Sequence, residues 1–549
     1  MRSFSWIPTV IPSALGIFSV FCPIVSNPVL AQITPDNTLG TERSILLPGQ
    51  MVQDSPTDLI QGGAARGSNL FHSFLEFNVN DGQRVYFDNP TGVETIFSRV
   101  TGSDISDILG TLGVNGGADL FFLNPNGIIF GPNARLDLSG SFSASAGQAF
   151  IFSDGSQFRA IDPNAPPLLT VGVTPGIQYG SGHPGHIRND GQLAVNPNES
   201  LTLVGQTVLN RGGLAAPGGT IDLVGNSIIL SNGTHIDVSS ELGGGQVRIG
   251  DESAEEAGTQ QILMVQDALV EANGLRVGAG GEIVLEADQQ LLSGQLEARG
   301  SEAIGGHIQI LGDRLGLFGA QVDASGTLGG GQIEIGGAFQ GQGELRRSQN
   351  TVVSGETYIA ADALGSGNGG EVVVWSDGTT QFGGSITARG GVLGGDGGQV
   401  EVSGLEGGIF AGIVDASSPI GIGGSLLLDP KNITIAQTGV SLGTYSLAQT
   451  FNNPTPENFD GFGRSVALEG SNVLIGAASD NTGATNAGSA YLFNTSGTLL
   501  TTFNNPTPED YDFFGWSVAL EGSNVLIGAE YDNTGATNAG SAYLFNTSG

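Results

Sequence analysis

The chain has 549 residues, of which 91 are glycine, with 18 Lys+Arg against 53 Asp+Glu and a formal net charge of −35. That balance, with no cluster of cations to meet phosphate, excludes nucleic acid, heparin-like polyanions and anionic lipid as partners. Only 13 % of residues are charged and Val, Ile, Leu and Phe recur throughout, which excludes a disordered tail, and no Gly-X-Y period makes it collagen. The first predicted element is a secretory signal over residues 1–31. Arg2 opens it, an apolar stretch runs from Trp6 to Leu30, and Val29-Leu30-Ala31 forms a cleavage site before Gln32. Pro8, Pro12, Pro23 and Pro28 make this stretch a poor membrane-spanning helix, and no later apolar run is long enough for one. Cys22, the single cysteine, falls inside the signal behind a bulky Phe21, so neither a lipid anchor nor mature thiol chemistry is expected.

Residues 32–170 carry most of the aromatic side chains. Three segments stand out: Gly67-Ser68-Asn69-Leu70-Phe71-His72-Ser73-Phe74, Phe97-Ser98-Arg99-Val100-Thr101-Gly102, and Leu120-Phe121-Phe122-Leu123-Asn124-Pro125-Asn126-Gly127-Ile128-Ile129-Phe130-Gly131. Through these the stretch resembles the N-terminal secretion (haemagglutinin activity) domain of filamentous haemagglutinin-type exoproteins. The resemblance implies a right-handed parallel β-helix, recognised by a partner outer-membrane barrel that threads the chain to the cell surface. It also places Asn124, Pro125, Asn126 and Gly127 at the family's secretion motif; a second motif falls at Asn89-Pro90, where only two residues match. Taken by itself, Asn-Pro-Asn-Gly is a tight turn, with Pro fixing φ and Asn or Gly accepting positive φ, so a purely structural corner stands beside the export role.

Residues 171–437 repeat Gly-Gly-x-β-x-β, with β standing for Ile, Val or Leu. Gly244-Gly245-Gln246-Val247-Arg248-Ile249 and Gly280-Gly281-Glu282-Ile283-Val284-Leu285 are instances. The second glycines fall at 219, 245, 281, 306, 331, 370, 398 and 424, mostly 25 to 28 apart. Short alternating strands between glycine turns at that period predict a solenoid, because a lone unit cannot bury its apolar face and stacked coils can. One continuous parallel β-helix over residues 40–437 is expected, of about 15 coils spaced about 4.8 Å. Ser425 to Ile435, with Pro430 and Lys431, reads as its closing coil.

Behind a linker at 438–450, residues 451–502 and 503–549 form a tandem repeat. The stretches 451–497 and 503–549 differ only at Asn458/Asp510, Phe459/Tyr511, Gly461/Phe513, Arg464/Trp516, Ala478/Glu530 and Ser479/Tyr531. Phe462-Gly463 with Ile475-Gly476-Ala477, and Phe514-Gly515 with Ile527-Gly528-Ala529, resemble FG-GAP repeats, the blades of integrin-like propellers. The fold class is therefore all-β, a right-handed parallel β-helix followed by two antiparallel propeller-type blades, the second cut short. Phe462, Val466, Leu474 and Tyr491, with Phe514, Val518, Leu526 and Tyr543, are expected between blades. Val466-Ala467-Leu468-Glu469-Gly470 lacks the oxygen ligands of a calcium loop, and Asp480-Asn481 and Asp532-Asn533 read as solvated Asx turns.

No chemistry beyond this is signalled. His183-Pro184-Gly185-His186, the only close histidine pair, has the interior of a loop rather than a metal site, and no Gly-x-Ser-x-Gly elbow or Walker loop occurs. Carboxylates on neighbouring coils, such as Asp323 and Glu334, leave a polysaccharide-acting enzyme as an alternative. The expected function is a non-enzymatic surface exoprotein without metal or cofactor, an adhesin binding host or neighbouring-cell glycans or proteins, with a structural surface-layer or matrix protein as the further alternative.

Overall fold

Alternation along each strand decides which side chains enter the core. Glu282–Glu286 and Thr220–Val224 bury every second residue, Ile283 and Leu285 in one and Ile221 and Leu223 in the other. Stacking such strands in register puts like on like. Ile221, Val247, Ile283, Ile308, Ile333, Val372 and Val400 form one unbroken column, each fully buried. The strands after Gly305 and Gly330 are parallel neighbours in one sheet, as the solenoid requires.

In this computed structural model residues 33–163, 176–178, 185–251, 258–435, 449–457, 460–534, 536 and 538–547 are described. They divide into two units, residues 1–442 and 443–549. The expected signal at 1–31 lies outside the described residues.

The first unit is a parallel β-helix with three sheets. The longest has fifteen strands, parallel from Asn69–Phe77 to Ser425–Leu427, with Ile33–Pro35 and Ala64–Arg66 added antiparallel. The second runs through twelve strands from Ser106–Ile108 to Ile433–Ile435. The third face holds a five-stranded sheet that includes the Ser44–Val52/Ser55–Gly62 hairpin, then nine strands from Gln192–Ala194 to Ile413–Asp415. Among the described residues no helix is long and apolar enough to cross a membrane.

The stack of coils is unbroken, with Phe142–Ser145 paired in parallel to Ser200–Val204, but the chain leaves it once. After Phe142–Ser145 the chain leaves the coil, forms antiparallel strands Ala149–Ile151 and Gln157–Arg159 with Gly176–Gln178, and re-enters at His186–Asn189. The physical reason is an outward aromatic column. Phe71, Phe97 and Phe121 stack on the outer face at 5.2 and 5.1 Å, and Phe150, Phe152 and Phe158 from the excursion cover them.

The second unit consists of two antiparallel sheets, one per repeat. The first has four strands, Phe462–Glu469, Asn472–Ala477, Ser489–Asn494 and Leu499–Asn504; the second has three, Phe514–Glu521, Asn524–Ala529 and Ser541–Asn546. Leu474, Ala490 and Leu492 of the first repeat meet Phe514, Val525 and Ile527 of the second in one core. Four of the residues expected between repeats are not there: Val466 and Leu526 are exposed, and Phe462 and Tyr491 pack with Ile475 and Phe493 of their own repeat. Alternation sends neighbours to opposite faces, and these four lie on the faces that do not meet the other repeat.

Candidate functional site

The Asn124–Gly127 turn carries the chain from the first sheet (Asp119–Leu123) to the second (Ile128–Phe130). Its side chains bind their own fold. Asn124, fully buried, donates from Nδ2 to Asp104 O and Ser106 Oγ, both at 3.0 Å. Its Oδ1 accepts from the Asn126 backbone and side chain, also at 3.0 Å. Asn126 Nδ2 reaches Gly102 O at 2.8 Å. The turn thus clamps its coil to the one below, and Pro125 and Gly127 are buried with it. The Asn89-Pro90 corner lies elsewhere, between Arg84–Asp88 and Thr95–Val100, and does not join the first turn. Asn89 Oδ1 accepts the amide of Ala118 at 3.1 Å, while Pro90, Thr91 and Gly92 form an exposed tip.

Beside the secretion turn sits a polar knot that inspection of the sequence does not single out. Arg99, fully buried on Thr95–Val100, donates to Ser73 Oγ at 3.0 Å, Arg159 O at 2.6 Å and Thr38 Oγ1 at 3.0 Å, and its guanidinium lies 4.1 Å from the Phe158 ring centroid. Asp36 accepts from Ser73 (2.7 Å), Thr101 (2.6 Å) and Thr38 (2.7 Å) hydroxyls. Burial pulls Arg99 down to about 10, which the Asp36 carboxylate opposes. Burial alone would raise Asp36, but the hydroxyls of Thr101, Ser73 and Thr38 outweigh it and hold the carboxyl below its usual range. The knot joins the first strand, the helix wall and the excursion, which are far apart in sequence. Its one visible signal is Arg99 as the single charged residue of the strand Thr95–Val100.

His72 is packed between Phe74 and Phe87, with Nδ1 3.0 Å from Ser44 Oγ. Burial pushes its pKa down to about 3, so it is neutral in the fold. Only the unfolded chain takes up this proton as pH falls from about 6.5 towards 3, so this residue costs stability across that acid window and nothing above it.

Farther along the helix, the loops before the glycine pairs carry a feature the sequence hides. Leu242, Leu275, Ile304, Leu328, Leu364 and Leu393 are all exposed, Leu242 at 83 % and Leu393 at 79 %. The loops stack by backbone bonds such as Leu275 N to Ser240 O and Leu364 N to Gly326 O, both 2.8 Å, so these side chains form a ridge. Beside it runs a groove of about 1200 Å³ floored by the glycine pairs and edged by Gln246, Glu282, His307, Gln332 and Glu371. Those edge groups largely engage each other: Gln246 bonds Glu282, and Gln332 donates to Glu371 at 3.1 Å.

The carboxylates do not assemble a catalytic pair. Asp323 lies on the third sheet and accepts from Arg299 Nε at 2.6 Å, whereas Glu334 lies on the first and accepts from His307 Nε2 at 2.9 Å. His235, Asp237 and Glu271 are the one group among the described residues with metal-ligand spacing, but His235 Nε2 is already bonded to Glu271 at 2.6 Å. His183 lies outside the described residues, and His186 is exposed. Asp480 and Asp532 form Asx turns, yet both are buried rather than solvated. Asp480 accepts from Thr482 N and Tyr491 Oη at 2.8 Å, and Asp532 accepts from Thr534 N at 2.7 Å.

Comparison with known proteins identifies both parts of the chain. Residues 31–285 match the family model of the TPS secretion domain, and residues 456–493 and 508–545 match that of the FG-GAP repeat. No curated protein matches the chain. Among solved structures, the HMW1 secretion domain from Haemophilus influenzae is 22 % identical, with a TM-score of 0.49, over 72 % of this chain and 100 % of that one. A filamentous hemagglutinin secretion domain is 14 % identical, with a TM-score of 0.25, over 72 % and 100 %. A TPS secretion domain implies an outer-membrane transporter as partner and export across the outer membrane. Residues 31–285 thus carry a TPS secretion domain, which implies a two-partner secretion exoprotein, and two FG-GAP repeats follow the parallel β-helix.

Proposed function

We propose that this exoprotein is a non-enzymatic adhesin, exported by its partner barrel after signal cleavage and displayed at the cell surface as a right-handed β-helical shaft with propeller-type repeats. The observation that carries the adhesive reading is the apolar ridge on stacked loops, since contiguous exposed apolar surface marks an interaction face. Its ligands are surface proteins or glycans, with the polar groove edge supplying orientation. Replacing Leu242, Leu328 and Leu393 together with serine is expected to abolish cell attachment while the thermal unfolding midpoint stays put, because these side chains touch no core. Undiminished attachment by the folded triple variant would sink this reading.

For export, the proposed motif residues are Asn124, Pro125, Asn126 and Gly127, with Asn89 and Pro90 as a second corner. Their proposed role is to form the first clamped coils as the chain emerges, so that folding outside draws the rest through. The support is that every polar group of Asn124 bonds a neighbouring coil or its own turn. Asn124→Ala with Asn126→Ala should stop secretion and lower the stability of the refolded protein by about 2 kcal/mol or more, the usual cost of orphaning buried partners. Pro90→Ala, at the exposed tip, should leave stability unchanged and reduce secretion only if the barrel reads that tip directly. Normal secretion of the double asparagine variant would remove the motif from the export mechanism.

A further inference from the structure

The six differences between the two repeats are not scattered once the chain is folded. Three of them bring a new ring, Phe513, Trp516 and Tyr531 where the first repeat has Gly461, Arg464 and Ser479, and a fourth exchanges Phe459 for Tyr511. In the fold these four gather around Phe513, whose ring centroid lies 6.3 Å from that of Tyr511 and 5.8 Å from those of Trp516 and Tyr531. The remaining two bring carboxylates, Asp510 and Glu530 for Asn458 and Ala478, each next in sequence to one of the tyrosines. With Arg464 replaced as well, every change of charge in the second repeat is towards negative.

The cluster is kept against a backbone cost. Phe513 sits at φ 54°, in the left-handed region where the first repeat has Gly461 at φ 68°, and Tyr511 sits at φ 71°. Bulky side chains are strained there, and strain of this kind points to a role other than stability. The rings also stand outside the two apolar cores of the repeats. Tyr511 is 55 % exposed, and Phe513 and Trp516 are partly exposed. The loop that carries Tyr511 and Phe513 is held against the first repeat, Tyr511 N donating to Thr485 O at 2.7 Å and Phe513 N to Asn486 O at 3.1 Å. Tyr511 is therefore open to solvent with both repeats around it.

We infer that the second repeat binds an organic cation methylated on nitrogen, a choline-type ammonium, in the corner formed by Tyr511, Phe513 and Tyr531. The sign follows from chemistry, because ring faces are the negative part of an aromatic side chain and Asp510 and Glu530 add full charges beside them. The cluster already holds one cation of its own chain, with the Arg464 guanidinium carbon 3.4 Å from the Trp516 ring centroid. The shape follows from the ring angles. A planar guanidinium lies flat on one ring, whereas the planes of Tyr511, Trp516 and Tyr531 stand at 52°, 62° and 68° to Phe513. Steeply tilted walls suit a rounded group better than a flat one, and a fully methylated ammonium has no N–H for the rings to leave unsatisfied. This site belongs to the second unit and is independent of the export and adhesion readings.

The test titrates the full chain with choline, with dimethylbutanol as its uncharged carbon isostere, and with methylguanidinium, following tryptophan emission. Trp375 is buried and Trp6 lies in the expected signal, so Trp516 is the reporter. Equilibrium dialysis with labelled choline gives the same constant without it. Choline should bind saturably, and both analogues should bind about tenfold more weakly or worse. The double variant Phe513→Gly with Tyr531→Ser installs the residues that the first repeat carries in the same fold. It should keep the wild-type circular dichroism and lose about tenfold or more in choline affinity. Pelleting with phosphatidylcholine vesicles would mark a lipid headgroup as the source of the cation, and binding of free choline alone a soluble one. No saturable choline binding, equal binding of the uncharged isostere, tighter binding of methylguanidinium, or undiminished affinity in the folded double variant would each overturn the inference.

Discussion

Gly331→Ala is expected to destabilise the β-helix by about 3 kcal/mol, whereas Gly423→Ala should be neutral to within about 0.5 kcal/mol. The two positions belong to the same sequence motif, so the contrast isolates the physics. A Cβ at Gly331 would collide with the carbonyl oxygen of Gly306 in the coil below. That oxygen cannot retreat, because it accepts the amide of Gln332 at 2.9 Å, while Gly331 N is held by Ala324 O at 2.8 Å. Relief therefore means separating two coils whose apolar column is fully buried. The same collision recurs along the column, Gly306 over Gly281 and Gly370 over Gly331. From Gly244 onward the first glycine of a pair meets the following coil instead, as Gly397 meets Ala416, and Gly423 has no such neighbour among the described residues. Chemical denaturation of the purified proteins gives both numbers. Equal effects at the two sites would mean that backbone crowding is not why glycine stands there.

This explains what the glycine period does and does not encode. Its spacing and the alternating strands beside it were enough to read a stacked parallel solenoid, since both follow from local geometry and from the need of each coil for a neighbour. The reason for the glycines was only half legible. Among the eight pairs only Gly218 has a positive φ; the others, Gly423 apart, are required by close approach between coils, which no single strand reveals. The same limit hides the ridge. Leu242 and Leu328 look like core residues in the sequence, and only loop stacking turns them outward together. In the repeats, Leu474 and Leu526 occupy the same place in identical strands, yet one is buried and the other exposed. Alternation separates two faces of a strand but does not say which face has a neighbour. The Asn124 turn was legible as a corner from its composition. Its bonds to Gly102, Asp104 and Ser106 were not, because they depend on which coil lies beneath.

The polar knot around Arg99 is the extreme case of a site written in distant pieces, and it leads to the second large effect. Arg99→Met, which keeps most of the apolar stem, should cost about 3–5 kcal/mol, the range for removing one partner of a buried charge pair. Three acceptors lose their donor at once: Ser73 Oγ in the wall, Thr38 Oγ1 in the first strand's extension, and Arg159 O in the excursion. The excursion also loses the cation on Phe158, and with it a restraint on the cover over Phe71 and Phe97. Asp36 keeps its hydroxyl donors but loses the positive charge that compensates it. Adding Asp36→Asn to Arg99→Met should therefore restore part of the loss, a non-additivity of 1 kcal/mol or more in a double-mutant cycle. The pH dependence has a defined sign. The Asp36 carboxyl sits below its usual range, so its contribution is complete above pH about 4 and is lost as pH falls further. Arg99→Met should weaken that acid dependence. Strictly additive single and double variants would show that Arg99 acts by filling space and not by charge.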